Sequence, residues 1–124
     1  MSESIDAFIH EYTRRYVAHD VDGVVDLCEV PFLAVREGKP IHMADREAVH
    51  DHFALVIDAY ANAGYSSFAP VEIDTHELGE RSAFTTVRWH AFDAEGNVAR
   101  DSRTTYQLLS TESGWRFLSY TNHF

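Results

Sequence analysis

The sequence predicts an α+β fold: a cone-shaped, curved, mixed but mainly antiparallel sheet wrapped around three N-terminal helices. Three observations predict it. The N-terminal half carries apolar residues at helical spacing, with capping residues between the segments. From Tyr65 onward every segment reads as strand, divided by short turn-type separators. The last 22 residues run RTTYQLLS, TESG and WRFLSYTNHF, aromatic and β-branched runs broken at Ser113-Gly114. Helices first and strands last place a sheet around helices with a pocket between them.

Helix one is predicted over about residues 4 to 19, with Ile5, Phe8, Ile9, Tyr12 and Tyr16 as its stripe and Ser2 or Ser4 as its cap. Asp20 opens a short second helix, about 21 to 28, with Val24, Val25 and Cys28 inward; Gly23 weakens it and Pro31 ends it. Residues 32 to 36 and 40 to 44 read as a hairpin around Gly38. Asp45 caps helix three, about 46 to 62, whose stripe is Val49, Phe53, Val56, Ile57 and Tyr60, closed by Gly64. Strands follow over about 66 to 78, 82 to 92, 98 to 110 and 115 to 123. Their short separators make consecutive strands antiparallel neighbours.

The length of 124 residues fits a single domain, 1–124, and 45% hydrophobic residues mark it as globular. Twenty acidic residues against ten basic give a net charge of −10. That balance excludes the basic footprint of nucleic-acid binding and disfavours an anionic membrane surface. No apolar run reaches the roughly 18–20 residues of a membrane-spanning helix, and MSESIDAF lacks a signal-peptide core. The lone Cys28 forms no internal disulfide and reads as a buried small hydrophobe in a reducing compartment, so a cytoplasmic location is expected. His50-x-His52 is the only close histidine pair, and on a helix these side chains point about 200° apart. No metal and no cofactor is expected.

Strand parity decides which side chains enter the cone. Phe84, Thr86, Arg88, His90 and Phe92 share one face. The Asp93–Gly96 turn fits a three-residue loop with glycine in the left-handed position, pairing 93 with 97 and hence 88 with 102. Val98, Arg100, Ser102, Thr104, Tyr106 and Leu108 then continue that face. On the last strand the even set, Leu118, Tyr120, Asn122 and Phe124, is favoured over Trp115, Phe117, Ser119 and Thr121. Val87, Trp89, Trp115 and Phe117 would form an outer patch covered by a second copy, so a homodimer is expected. Asp101 and Arg103 read as an exposed or interfacial ion pair.

Three stretches carry a resemblance. Arg15-Tyr16 is followed by Asp22-Gly23-Val24-Val25 and Leu27. Pro40-Ile41-His42 leads into Arg46-Glu47-Ala48-Val49 and Phe53. Arg103 through Phe117 reads as R-x-T-x-x-L followed by G-W-R-F. Over nearly the whole chain the sequence resembles the nuclear transport factor 2-like superfamily, in its SnoaL-like and ketosteroid isomerase-like branch. The resemblance implies a cystatin-like, SnoaL-like fold, one that hosts isomerases, dehydratases, cyclases, epoxide hydrolases and binding modules. It also implies that Tyr16 stands where ketosteroid isomerases carry an oxyanion-donor tyrosine, and that Tyr106 stands near their protonated aspartate. Their base aspartate falls in the stretch Val30 to Lys39, where Glu37 is the only carboxylate. Arg88-Trp89-His90 departs from the Arg-x-Asp pair of the fold's epoxide hydrolases.

Two readings follow. In the first, the pocket takes a small, largely apolar molecule and His90 moves a proton, with Tyr16 and Tyr106 as polar partners. Arg88 or Arg100 would hold a carboxylate or enolate oxygen. Tyr12, Ser102, Thr104, Tyr120 and Asn122 complete the ligand contacts. In the second, the domain is a non-catalytic ligand-binding or dimerisation module.

Overall fold

The structure, a computed structural model, describes residues 4–123. Helix α1 spans Ile5–Val17, and the Ser4 hydroxyl caps it by accepting from the Ala7 amide at 3.1 Å. Ser2 and Phe124, assigned to the first cap and the last strand, lie outside the described residues. Ile5, Phe8, Ile9 and Tyr12 are the buried stripe of α1. Helix α2 is only Val21–Val25, capped by Asp20, whose carboxylate accepts from the Gly23 amide at 3.0 Å. Arg15 Nη1 donates to the Gly23 carbonyl at 2.7 Å and ties α1 to α2.

The second helix ends before the sequence-based boundary, and Pro31 does not terminate it. Strand β1, Cys28–Arg36, runs through Pro31. Its pairing with the last strand is interrupted between Cys28 and Leu33. Pro31 sits in that gap, where the missing N–H breaks no ladder bond. Glu37 and Gly38, at φ 52° and 76°, turn the chain into β2, Lys39–Met43. Helix α3, Arg46–Asn62, starts on Asp45, which accepts from the Ala48 amide at 2.9 Å. It buries Val49, Phe53, Val56 and Ile57.

Strands β3 (Ser67–Leu78), β4 (Ser82–Phe92), β5 (Val98–Thr111) and β6 (Gly114–His123) complete a six-stranded sheet in the order β2-β1-β6-β5-β4-β3. Every neighbouring pair is antiparallel except β1 with β6. The expected α+β cone with a mixed, mainly antiparallel sheet is the observed architecture. No helix of the described residues is long and apolar enough to cross a membrane.

Two bulges decide which residues face inward. The β4–β5 turn has the expected geometry: the Asp93 amide donates to the Asn97 carbonyl at 3.0 Å, and Gly96 has φ 82°. Phe92 pairs with Val98, but Ala91 pairs with Arg100, so Ala99 is an extra residue. From there every partner moves by one, and Arg88 faces Arg103 while Trp89 faces Ser102. Cross-strand partners share a face, so the odd residues of β4 join the even residues of β5. Ala83, Thr85, Val87, Trp89 and Ala91 are accordingly buried. A second bulge lies where Gln107 pairs with Ser119 but Leu108 pairs with Phe117. It brings Phe117 and Tyr120, residues of opposite parity, to the same inner side.

The proposed outer patch is therefore corrected. Val87 and Phe117 are 0% and 1% exposed, Trp89 is buried, and Trp115 packs half-buried against the core. Phe117 is the hub of that core, its ring centroid 4.8 Å from each of Phe8, Tyr12 and Tyr106. Cys28 is buried as expected, and burial pushes its thiol up to about 12.

Candidate functional site

Between the helices and the concave face of the sheet lies a cleft. Helix α1 contributes Tyr12, Thr13 and Tyr16, and α3 contributes Phe53, Val56 and Tyr60. The sheet supplies Arg36, Phe68, Trp89, Ala91 and Arg100, then Ser102, Thr104, Tyr106, Tyr120 and Asn122. The open space within it is about 60 Å³. Eight of the sixteen lining side chains are aromatic, two are arginines, and none is a carboxylate.

Burial sets the chemistry of the tyrosines. Tyr12, Tyr16, Tyr106 and Tyr120 all have hydroxyls held above the ordinary phenol range, with desolvation as the largest cause. They are neutral hydrogen-bonding groups at physiological pH. Tyr106 accepts from the Trp89 indole at 3.2 Å, and Thr104 donates to Asn122 Oδ1 at 2.9 Å across the β5–β6 pair. These contacts fix the cleft floor.

The polar end of the cleft is built around Arg36. On β1 the residues Phe32, Ala34 and Arg36 share the inward face, the first two being 1% and 0% exposed. Arg36 Nη1 donates to the Tyr120 hydroxyl at 3.1 Å and Nη2 to the Tyr60 hydroxyl at 3.0 Å. Burial works against its charge, and the two phenols more than offset this, so its net shift is upward. His52 of α3 places Nε2 2.6 Å from the Tyr120 hydroxyl. Desolvation, and then the Arg36 charge, lower His52 to about 4, so its imidazole is neutral at pH 7. Arg36 donates to the Tyr120 oxygen, and the His52 tautomer decides which of Nε2 and the Tyr120 hydroxyl donates in the bridge between them.

Of the residues expected at the site, Tyr12, Tyr16, Ser102, Thr104, Tyr106, Tyr120 and Asn122 all line the cleft, as does Arg100. Arg88 and His90 do not. The Ala99 bulge turns them to the convex face, where Arg88 Nε and Nη2 donate to Asp101 at 2.9 and 2.7 Å and Nη1 donates to Glu72 at 3.0 Å. His90 Nε2 lies 3.6 Å from Asp101. The Arg88 hydrogen bonds hold the Asp101 carboxyl below the usual carboxylate range. Asp101 thus pairs with Arg88, the expected pocket residue, rather than with Arg103. Glu37 is exposed in the β1–β2 turn at φ 52°, not in the cleft. His90→Ala is expected to leave cleft binding within twofold of wild type and to change stability by less than about 1 kcal/mol. Ligand titration and urea unfolding of that variant check both numbers.

Sequence reasoning missed Arg36 and His52 and assigned Tyr60 only to the core. Two signals were available. Alternation in Phe32-x-Ala34-x-Arg36 points Arg36 inward, and His52, Val56 and Tyr60 recur at i, i+4, i+8 on one face of α3. Among the described residues no group of three or more metal-binding side chains is assembled; His50 faces Asp22 at 3.6 Å while His52 faces Tyr120.

Comparison with known proteins places this geometry in a family. No curated protein matches the chain by sequence. Among solved structures, an NTF2-like protein with a cystatin-like fold from Novosphingobium aromaticivorans superposes with a TM-score of 0.75 at 17% identity, covering 95% of this chain and 77% of that one. An NTF2-like protein of unknown function from Shewanella oneidensis gives 0.74 at 11% identity, over 95% of this chain and 94% of that one. A protein of Streptomyces avermitilis, provisionally a dehydratase of the NTF2-like family, gives 0.73 at 14%, over 95% and 91%. At such identities these likenesses describe the fold alone. The family described as "NTF2-like protein (DUF6841)" matches residues 2–124, and the chain belongs to that family.

Proposed function

We propose that this protein binds a small, largely apolar, ring-bearing molecule in the cleft between α1, α3 and the sheet. The observation that carries this reading is the lining itself, with eight aromatic side chains and no carboxylate. Such a wall stacks on a planar body and fixes it with a few hydroxyls and amides. Without a carboxylate base in the cleft, holding a ligand is the better-supported activity. The test uses the Trp89 indole, which lines the cleft and donates to Tyr106. In ¹H–¹⁵N spectra, benzamide and 1-naphthaleneacetamide are expected to shift the Trp89 indole N–H saturably. Trp115→Phe assigns the two indole signals. If neither these amides nor the corresponding acids, benzoate and 1-naphthylacetate, move the Trp89 signal at millimolar concentration, the reading fails.

A second reading, proton transfer of the kind found in the SnoaL-like branch, is favoured by one contact, the 2.6 Å approach of His52 Nε2 to the Tyr120 hydroxyl. This pair takes the place of His90. The Tyr120 oxygen would accept a carbon-bound proton as its own proton passes to His52, leaving an enolate beside Arg36. The low His52 basicity, to about 4, works against this step. Deuterium exchange into the α-position of acetophenone's methyl ketone, above the buffer rate and lost in Tyr120→Phe, would establish it. Binding without exchange leaves the binding module.

A further inference from the structure

We propose that the ligand of this cleft is an anion, a small planar aryl carboxylate whose carboxylate group is received by Arg36. This inference rests on the binding reading above and names its chemical class. It stands first on a contrast with five of the chain's nine arginines. Arg14 and Arg15 pair with Glu11, Arg46 with Asp26, Arg88 with Glu72 and Asp101, and Arg116 with Glu29. Arg36 is half-buried, yet among the described residues no carboxylate lies within 4.0 Å of it, and its partners are two neutral phenols. In a chain with 20 acidic residues, none of those described lies beside this half-buried arginine of the cleft. A partly desolvated cation with no counter-charge is costly, and an anionic ligand relieves that cost.

Second, the cations are gathered at one end. The Arg36 and Arg100 guanidinium carbons lie 5.8 and 5.6 Å from the same Tyr60 ring centroid. The rest of the wall is aromatic, which suits a flat apolar body with the charge at one end. Third, donors remain. Two of the five guanidinium N–H groups of Arg36 are used on the phenols, and its planar fork matches a carboxylate. Tyr60 accepts from Arg36, and among the described residues nothing takes its own proton. The Tyr60 hydroxyl can therefore donate to the same carboxylate.

Calorimetric titration of the intact protein at pH 7.5 with matched pairs tests this: benzoate against benzamide, and 1-naphthylacetate against 1-naphthaleneacetamide. Each acid is expected to bind at least tenfold more tightly than its amide. In Arg36→Met that preference falls to about threefold or less while amide binding holds. Arg36→Lys, which keeps the charge and loses the fork, gives an intermediate preference and guards against a folding artefact. The Trp89 indole shift confirms that the acid sits in the cleft. Equal binding of acid and amide, or a preference that survives in Arg36→Met, overturns the anion inference and leaves the cleft reading intact. Failure of all four probes overturns both.

Discussion

Phe117→Ala is expected to lower the free energy of unfolding by about 3–5 kcal/mol, the range for removing a fully enclosed aromatic ring. The ring is 1% exposed and makes close contacts with Phe8 and Tyr12 of α1 and with Tyr106 of β5. Truncation would leave a void at the junction of helix and sheet, bordered by rings that cannot collapse into it. The urea midpoint of the variant, at an unchanged slope, reads the loss directly. An alternating β6 puts Phe117 on the convex face, and the same change would then cost under about 1 kcal/mol and act on self-association instead. The measurement therefore decides between two registers of one strand. It tests the bulge at Leu118, not merely the presence of an apolar residue.

That strand shows what the sequence leaves open. Helical stripes, caps and turn residues are local signals. Ser4, Asp20 and Asp45 each cap the helix they precede, and Asp93 to Gly96 forms the expected turn. A bulge is not local in this sense. Ala99 and Leu118 are unremarkable in type, and each is an extra residue only relative to a partner strand. Each inserts one residue and reverses the parity of all that follows. Counting from the turn gives the correct pairs at 93 and 92 and wrong ones beyond. That single slip moved Arg88 and His90 into an expected pocket and Trp89 out of it. Burial bears the bulges out: Val87 is 0% exposed, while Arg88 sits among Glu72 and Asp101.

The candidate site was legible where it rests on one strand's own alternation. Thr104, Tyr106 and the cleft end of β6, Tyr120 and Asn122, follow directly from the even set. The charged end was not legible because it joins three distant pieces: Arg36 on β1, His52 and Tyr60 on α3, and Tyr120 on β6. Only the parallel β1–β6 pairing, Ala34 opposite Tyr120, brings the first and last of these together. Parallel neighbours far apart in sequence leave no turn from which to count.

His52→Gln is expected to remove about one proton from the acid-linked loss of stability between pH 6.5 and pH 4. The folded chain holds His52 at about 4, against an ordinary value of 6.5, through desolvation and the charge of Arg36. In that window the unfolded chain carries the proton and the folded chain does not. Unfolding then takes up a proton, so stability falls as pH drops from 6.5 toward 4, and this group adds no pH dependence above 6.5. Glu11 and Asp101 are held below their ordinary values of 4.5 and 3.8, so their stabilisation is lost at lower pH. Glutamine keeps a polar group near Tyr120 but does not titrate. Urea unfolding at pH 4.5, 5.5 and 6.5 should give a flatter pH dependence for the variant, and parallel curves would show that His52 is protonated in the fold. The groups facing it are Arg36 and Tyr120, and a neutral His52 has a consequence for both. It is hydrogen-bonded to the Tyr120 hydroxyl, to which Arg36 also donates, so that hydroxyl is already engaged. A ligand entering the polar end of the cleft then meets the remaining N–H groups of Arg36 and the hydroxyl of Tyr60 first.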